Sequence, residues 1–423
     1  MLQSLTVSEV VLARAQMAIS LAFHIVFAAV GIAMPLLMVV AEVLWRRTGD
    51  AEYLALARRW AKGTAVFFAI GAVSGTVLSF ELGLLFPEFM RWAGALIGLP
   101  FSLEGFAFFT EAIFLGLYLY GWERLPPAAH IASGVVVALS GLASAVFVTI
   151  ANAWMNAPTG FRLEGGRLVD IDPLRAMASP FVAHEVLHTA LAAYMATTLA
   201  VGAIHAYALL RGPATSFHRR ALAIALGVTI PCSLVQPLVG HFAGGRVAEH
   251  QPLKLAAMEG LRQTTRGAAA HLGPIAIPGG LSLLAYGSFD AEVKGLEEFP
   301  RADWPHRIVN VSFQAMVLLG TLAAGYAALT AFLWWRRRRL PDGAWWLWTT
   351  LLLGPCGVLA MEAGWFVTEV GRQPWVIYGV LRTSDAVTPM TGLAVPLVTF
   401  SAVYLGLGGV VAAVLARQVR QTT

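Results

Sequence analysis

The chain has 423 residues, of which 58% are hydrophobic and 13% are charged. Ordinary soluble domains carry about 25% charged residues, and a chain this apolar lacks the polar tracts that keep a protein disordered in water. The composition therefore excludes a soluble enzyme and an intrinsically disordered protein. A formal net charge of +5 does not indicate a nucleic-acid partner, because the basic residues lie in short clusters between apolar runs.

Nine apolar runs of about 20 residues or more follow one another along the chain. A run of that length crosses the hydrocarbon core of a bilayer as an α-helix. The runs cover residues 17–44, 63–86, 99–121, 129–153, 181–209, 221–241, 308–334, 344–368 and 392–415. The sequence thus predicts an all-α polytopic membrane helix bundle with nine transmembrane helices, which forms a single membrane-embedded domain over residues 1–423.

The Lys and Arg residues of the short loops predict the orientation of the bundle. With the N-terminus outside, fifteen of them fall in inner segments and seven in outer segments. Basic residues favour the cytoplasmic side of a membrane. We therefore expect an outer N-terminus, a cytoplasmic C-terminus and an extracytoplasmic position for the long segment 242–307, whose length indicates a functional loop.

Ionisable side chains within the predicted spans are candidate functional residues, because lipid makes such groups costly. Together with one methionine that could act as a soft ligand, the candidates are His24, Glu104, Glu111, His188, Glu362 and Met316. All except Glu111 fall within ten residues of the outer end of their span, so five helices contribute one layer of potential ligands. The two cysteines, Cys232 and Cys356, lie in apolar stretches and provide neither a disulfide framework nor a thiolate cluster.

This set of donors is typical of haem iron. A His and a Met on two helices are a common axial pair for a low-spin haem. Because no thiolate is available, further His and Glu ligands in apolar surroundings indicate additional haem iron rather than an iron–sulfur cluster. Each residue alone has a simpler interpretation, with Met316 as core packing and His24 or His188 as a hydrogen bond between helices. The shared layer favours the haem interpretation.

Glu104 and Glu111 are seven residues apart and therefore lie on one face of a helix, about two turns from each other. Glu111 is the deeper of the two. This arrangement predicts a ladder of carboxylates that relays protons from the inside toward the outer layer. The alternative is a pair of protonated carboxyl groups that only tie helices together.

Residues 184–188 read His-Glu-Val-Leu-His, a pattern in which two histidines bind zinc and the glutamate acts as a base. Taken alone, it predicts an intramembrane zinc metalloprotease. The pattern begins at the outer interface, however, and no motif on another span supplies a third zinc ligand. A proton-coupled transporter is a second alternative; it predicts inverted repeats and a midplane site, and the sequence shows neither.

Several segments match one family in residue type and spacing. They are the His24 helix, Leu-Glu-Gly-Phe (103–106), Gly-Trp-Glu-Arg-Leu (121–125), Ala-Asn-Ala-Trp-Met-Asn (151–156), Lys-Leu-Ala-Ala-Met-Glu (254–259) and Glu-Ala-Gly-Trp-Phe-Val-Thr-Glu-Val-Gly-Arg-Gln-Pro-Trp (362–375). The last, with Gly-Arg-Gln-Pro-Trp as its core, is very specific. With these segments the chain resembles subunit I of the cytochrome bd type quinol oxidases along essentially its whole length. The segment 242–307 is short, as in the variant often called cyanide-insensitive.

The resemblance implies three haem groups. His188 and Met316 would be the axial ligands of a low-spin haem b. His24, Glu104 and Glu362 would serve a high-spin haem b and a haem d, or a third haem b in its place. The division of these three residues between the two high-spin haems stays open.

The resemblance also implies roles around the haems. Glu111 matches a carboxylate associated with proton delivery. Arg372 and Trp375 would hold a haem propionate or rim, with interfacial snorkelling as the alternative for Arg372. Lys254 and Glu259 match residues of the quinol loop, and their apolar context favours a short surface helix whose charges project toward the water.

The expected function follows from these assignments. Quinol is oxidised at the outer loop, and dioxygen is reduced to water with protons drawn from the inside through Glu111 and Glu104. The reaction would build a proton gradient without pumping. The expected partners are quinol, dioxygen, membrane lipid, an oxidase subunit II and small single-span subunits, with no nucleic acid. The expected location is the bacterial cytoplasmic (inner) membrane.

Overall fold

The computed structural model describes residues 8–212, 215–273 and 275–420. Its helices are α1 (Glu9–Thr48), α2 (Ala51–Leu85), α3 (Pro87–Tyr120), α4 (Pro127–Asn156), α5 (Pro173–Met177), α6 (Val182–Arg211), α7 (Ser216–His250), α8 (Pro252–Glu259), α9 (Gly280–Tyr286), α10 (Ile308–Arg337), α11 (Ala344–Leu353), α12 (Cys356–Arg372), α13 (Thr383–Ala386) and α14 (Ala394–Arg420). Within the described residues, nine helical segments are long and apolar enough to cross a membrane, α11 and α12 together forming one of them. The predicted all-α bundle of nine spans is confirmed.

The short strands all lie in connections between spans. They form four two-stranded antiparallel ladders, β1 (Arg162–Glu164) with β2 (Arg167–Val169), β3 (Thr265–Arg266) with β6 (Glu292–Val293), β4 (Ala270–Leu272) with β5 (Ile275–Ile277), and β7 (Trp375–Ile377) with β8 (Leu381–Arg382). Because successive spans run in opposite directions, these ladders and α8 lie at the end of the bundle where α1 begins. We call the end of the bundle where α1 begins the loop end, and we call the end where α1 terminates the opposite end.

The spans pack as two groups that share a core. In the first group α1 packs against α2, and α3 against α4; in the second α6 packs against α7, and α10 against α7 and α12. A cluster of buried apolar side chains from α1, α4, α6 and α12 joins the groups. This junction brings the helices that carry His24, His188 and Glu362 together.

The eighth span is interrupted between α11 and α12. Proline lacks the backbone N–H that would continue the helix, and Pro355 stands at the break beside Gly354. A Cβ at Gly354 would lie 2.4 Å from the Cβ of Ala203, and a Cβ at Gly357 would lie 2.5 Å from the Cα of Ala196. The two glycines therefore let this span approach α6 closely, which places the following helix against the core.

Several helices extend beyond the predicted spans at the loop end. α1 begins at Glu9, eight residues earlier than predicted, and α3 begins at Pro87, twelve residues earlier. α7 continues to His250, so the first nine residues of the expected loop 242–307 are helical. Hydropathy reports only the part of a helix that lies in lipid, whereas backbone hydrogen bonding continues past it. The expected extracytoplasmic segment 242–307 therefore begins with the last turns of α7, and its position outside the membrane stays a prediction.

Candidate functional site

His188 of α6 and Met316 of α10 each face a glycine of a helix that packs against both α6 and α10. A Cβ at Gly240 of α7 would be 3.5 Å from Cε1 of His188, and a Cβ at Gly364 of α12 would be 3.1 Å from Sδ of Met316. The Nδ1 atom of His188 is buried and has no hydrogen-bond partner among the described residues. His188 and Met316 can each donate a lone pair to a metal, and the glycines of α7 and α12 leave room beside them. This arrangement fits a planar metal cofactor that lies between α6, α7, α10 and α12.

His24 lies between α1 and α2 with a defined tautomer. Its Nδ1 is 2.9 Å from Oγ of Ser74, whose hydroxyl hydrogen is directed to the backbone oxygen of Ile70 at 2.9 Å. With the serine oxygen as acceptor, Nδ1 of His24 carries the hydrogen and Nε2 keeps its lone pair, which is the tautomer that we assign. A hydrogen bond of this kind orients a metal-binding imidazole. The ring is therefore prepared to donate Nε2 to a metal.

Glu104 and Glu111 both lie in the seam between α3 and α4. Ser144 of α4 donates a hydrogen bond of 3.0 Å to Glu104. Glu111 is 5% exposed, and a Cβ at Gly141 would be only 3.2 Å from its carboxylate. The structure confirms that the two carboxylates share one helix face, with Glu111 farther from the loop end.

Glu362 lies on α12 beside the apolar cluster that joins the two groups of helices. One of its carboxylate oxygens is buried without a hydrogen-bond partner in the described part of the chain. Met361 and Trp365, which flank it, contribute to the cluster together with residues of α1, α4 and α6. An unpaired buried carboxylate is costly, and a bound cation or metal centre would compensate that cost.

The five candidate ligands do not lie at one distance from the helix ends. His188 and Met316 are six and eight residues from the start of α6 and α10, and Glu362 is ten from the end of α12. His24 and Glu104, in contrast, are fifteen and seventeen residues from the start of their helices. The larger counts for these two reflect the extra turns of α1 and α3 before the predicted span ends at residues 17 and 99, so the shared layer within the membrane stays a prediction.

Arg372 is buried and only partly paired. Its side chain is 2% exposed, and Nη2 donates to the Glu369 carboxylate at 2.6 Å. Nε and Nη1 are buried and have no partner among the described residues. Asn152 also donates to Glu369. This burial excludes interfacial snorkelling for Arg372 and leaves the N–H groups of two guanidinium nitrogens available for an anion.

Trp375 belongs to β7, directly after α12, and is half-buried. The guanidinium of Arg382 stacks over its ring at 4.5 Å from the centroid. This cation–π contact fixes the ring at the loop end, three residues after Arg372 in the sequence. Trp375 thus stands beside the loop-end terminus of α12, the helix that carries Glu362.

Lys254 points into the protein, so the prediction that it projects toward the water is wrong. α8 lies across the loop end, and Lys254 is 4% exposed. Its Nζ donates to Oδ1 of Asn156 at 3.0 Å and to the backbone oxygen of Thr368 at 3.2 Å. Burial lowers the pKa of Lys254 below its usual value, and the Glu185 carboxylate opposes that shift. These partners satisfy the hydrogen-bonding capacity of the buried Lys254 ammonium. The hydropathy of α8 alone does not reveal them.

Glu259 ends α8 and is half-buried beneath the loop. Burial raises the pKa of Glu259 to about 7, and the backbone N–H of His271 partly offsets the shift. One carboxylate oxygen is buried and lacks a hydrogen-bond partner in the described residues. A carboxylate with this pKa exchanges protons near neutral pH.

Sequence reasoning missed the polar residues that surround the predicted ones. Asn152 and Asn156 lie in the segment 151–156, and Glu369 lies in the segment 362–375, so the segments that indicated the family contained the signal. Ser74 and Ser144 had no such signal, because serine is common in membrane helices. Their importance follows only from the side chains that they contact.

The zinc site is not supported by the geometry. Among residues 8–212, 215–273 and 275–420, no group of three or more His, Cys, Asp and Glu side chains is placed to hold a metal ion. Within the 184–188 pattern, Glu185 interacts electrostatically with Lys254. The nine spans of the described residues, with half-buried His, Met and Glu side chains between them, instead define a polytopic membrane protein whose interior holds separate candidate metal ligands.

Comparison with known proteins identifies the family. The cytochrome bd terminal oxidase subunit I family matches residues 12–423. A putative cytochrome bd menaquinol oxidase subunit I of Bacillus subtilis is 37% identical over 96% of each chain, and a cytochrome bd ubiquinol oxidase subunit 1 of the same species is 30% identical over 98% of this chain and 94% of its own. The bd oxidase structure from Geobacillus thermodenitrificans matches with a TM-score of 0.90 and 36% identity, over 98% of this chain and 99% of the other. The chain therefore belongs to the cytochrome bd terminal oxidase subunit I family.

Family membership makes this chain a subunit of a quinol oxidase, a haem-containing membrane protein of respiratory electron transport. Subunit I of such an oxidase works with partner subunits. The resemblance seen in the sequence is confirmed. The zinc metalloprotease and transporter alternatives are wrong.

Proposed function

We propose that this subunit oxidises quinol at the loop end and reduces dioxygen to water with protons taken from the opposite end. The observation that carries the proposal is the placement of the buried donors. His24, His188 and Glu362 lie on helices that meet in one core, and Met316 lies on α10, which packs against α12. Glu111 lies along a seam that leads from this core toward the opposite end. Charge separation across the membrane follows without a pump, because protons are released on one side and consumed from the other.

The residues present fit haem. His188 and Met316 would hold a low-spin haem b between α6, α7, α10 and α12, where Gly240 and Gly364 leave room. His24, Glu104 and Glu362 would serve a high-spin haem b and a haem d, or a third haem b, and the three are not divided between them. Bound haem supplies one-electron transfer and dioxygen binding.

The chain's own residues would position these groups and supply their charge balance. The two unpaired nitrogens of Arg372 suit a propionate, and Glu369 and Asn152 hold the guanidinium in place. Trp375 would pack on the adjacent rim of the haem. Ser74 would keep Nε2 of His24 available as a ligand.

At the loop end, Glu259 is proposed as the group that accepts a proton from quinol. Its pKa of about 7 allows it to be deprotonated before quinol binds and to release the proton afterwards. Lys254, being buried, would act through Asn156 and its charged neighbours rather than by facing the aqueous phase. The segment from residue 251 to residue 307 would form the quinol site.

We expect Glu259→Gln to reduce quinol oxidation by roughly 100-fold. The amide keeps the side-chain volume but cannot accept a proton, and the haem spectra should be unchanged. In the wild type, quinol oxidation should fall as the pH drops through about 7, because the carboxylate becomes protonated; the variant should lack this dependence. Stopped-flow quinol oxidation over pH 5–9 measures both. Lost haem would make the residue structural, and undiminished turnover would make it a bystander.

The orientation has its own test. In a background with Cys232 and Cys356 replaced by Ser, we expect a cysteine at the exposed position Arg338 to react with an impermeant maleimide only after the cells are opened. A cysteine at exposed Lys294 in the loop should react in intact cells. Labelling of the Arg338→Cys variant in intact cells would reverse the proposed topology.

The membrane and the partner subunits would cover the apolar outer faces of the bundle. α2, α3 and α14 expose most of their apolar surface, including Phe106 and Phe109 of α3 and Leu405 of α14. We propose that an oxidase subunit II, small single-span subunits and lipid cover these faces, in a bacterial cytoplasmic membrane.

One experiment tests the proposed function as a whole. The oxidase, purified with its partner subunits, should show Soret and red absorption bands that change on reduction by quinol. Reconstituted in liposomes, it should consume dioxygen and generate a membrane potential that an uncoupler abolishes. A colourless protein, or turnover without any potential, would contradict the proposal.

A further inference from the structure

A buried pair of Glu42 and His130 lies near the opposite end of the bundle, outside all the assigned sites. Glu42 of α1 is 0% exposed and His130 of α4 is 1% exposed. Nδ1 of the imidazole is 2.9 Å from both carboxylate oxygens, and Nε2 is 2.9 Å from the backbone oxygen of Tyr118. The pair thus connects α1, α3 and α4.

The geometry defines how many protons the pair holds. The backbone oxygen of Tyr118, one of the last four of α3, can only accept, so Nε2 of His130 carries a hydrogen. The contact between Nδ1 and Glu42 then needs one further proton, on either the nitrogen or the carboxyl group. Without it, a lone pair would face an anion in a buried site. The pair therefore holds one shared proton at rest.

Polar neighbours connect the pair in two directions. Toward the aqueous phase, Arg46 lies 3.9 Å from Glu42 and its side chain is 31% exposed. Toward the core, the Tyr118 hydroxyl is buried near the Glu42 carboxylate and has no hydrogen-bond partner among the described residues, so it is available to a water molecule. Tyr118 and Glu111 are seven residues apart on one face of α3, about 10 Å along the helix.

Glycines of α4 let the side chains of Tyr118 and Glu111 lie directly against the α4 backbone. A Cβ at Gly134 would lie 2.7 Å from the Tyr118 ring, and a Cβ at Gly141 would lie 3.2 Å from Glu111. The two glycines share the seven-residue spacing of the residues that they face. Water between the Tyr118 hydroxyl and the Glu111 carboxylate would complete the connection along this face of α3.

We propose that the Glu42–His130 pair is the site where protons from the opposite end enter the path to Glu111. This inference rests on the proposed function. A proton from the aqueous phase joins the pair, and one proton leaves through the Tyr118 hydroxyl and the intervening water to the Glu111 carboxylate. The pair returns to its resting state with one shared proton, and Glu111 becomes protonated.

The test replaces Glu42 by Gln in the complete oxidase reconstituted in liposomes. The amide can still donate to Nδ1 of His130, so the contact is kept, but it cannot transfer a proton. We expect turnover with saturating quinol to fall roughly tenfold or more and the solvent deuterium isotope effect to increase, with unchanged haem spectra. Glu42→Asp, which keeps a carboxylate, should recover part of the rate.

Glu81 supplies a matched control. Glu81 lies on α2 near the loop end and is 3% exposed. Its carboxylate accepts a hydrogen bond from the Gln16 amide. Glu81→Gln should turn over at close to the wild-type rate. If Glu42→Gln lowers the melting temperature but keeps the wild-type rate and isotope effect, the pair is a structural tie and the inference is wrong. If Glu111→Gln also turns over at full rate, the path itself is absent and the proposed function fails with it.

Discussion

Glu111→Gln is expected to lower dioxygen turnover by roughly 100-fold or more while leaving the haem spectra unchanged. Glu111 is buried in the seam between α3 and α4, and no apolar neighbour can replace its proton exchange. Glutamine keeps the volume and a hydrogen-bonding amide but cannot release a proton. Dioxygen consumption with saturating quinol, together with oxidised and reduced spectra, measures the effect.

Glu104→Gln is the matched comparison. Glu104 accepts a hydrogen bond from Ser144 and is a proposed ligand, so this variant should also disturb a high-spin haem signal. Because Glu111 lies two helical turns deeper, Glu111→Gln should leave the high-spin haem signal unchanged. The proposed division between a relay and a ligand would be wrong if both variants lost the same haem, or if Glu111→Gln kept full turnover.

Met316→Leu is expected to abolish or shift the signal of the reduced low-spin haem. Leucine conserves apolar volume beside Gly364 but removes the sulfur, and loss of a thioether ligand lowers the reduction potential of haem iron. Electron entry should slow by roughly tenfold or more. Visible spectra during a redox titration, combined with the rate of quinol oxidation, measure the change.

Met195→Leu controls for the loss of a buried methionine. Met195 belongs to α6, as His188 does, and packs in a separate apolar cluster. This variant should keep the wild-type spectrum and midpoint potentials. An unchanged titration in Met316→Leu would show that another residue is the axial ligand.

Much of the candidate site was predictable because lipid makes polar side chains costly. His24, Glu104, Glu111, His188 and Glu362 stand out within apolar runs for that reason alone, whereas Met316 stands out only as a possible soft ligand. The motif 362–375 indicates the family through its fixed order of residue types. These inferences need only composition, spacing and residue type, which are local properties of the chain.

Other features required the packed bundle. The inward position of Lys254 depends on Asn156 of α4 and the backbone oxygen of Thr368 in α12, which are about 100 residues away in sequence. The tautomer of His24 depends on Ser74 of the next helix. Hydropathy cannot show such pairings, because it assigns each residue a value without its partners.

The sequence by itself determined the nine predicted membrane spans, the candidate functional residues in them and the family that the chain resembles. The tertiary structure decided how far the helices extend past the bilayer, which glycines make room beside His188 and Met316, and that Glu42 meets His130. The physical reason is that burial in lipid selects the residue type at each position, whereas a hydrogen bond requires two particular helices to pack with their polar groups in contact.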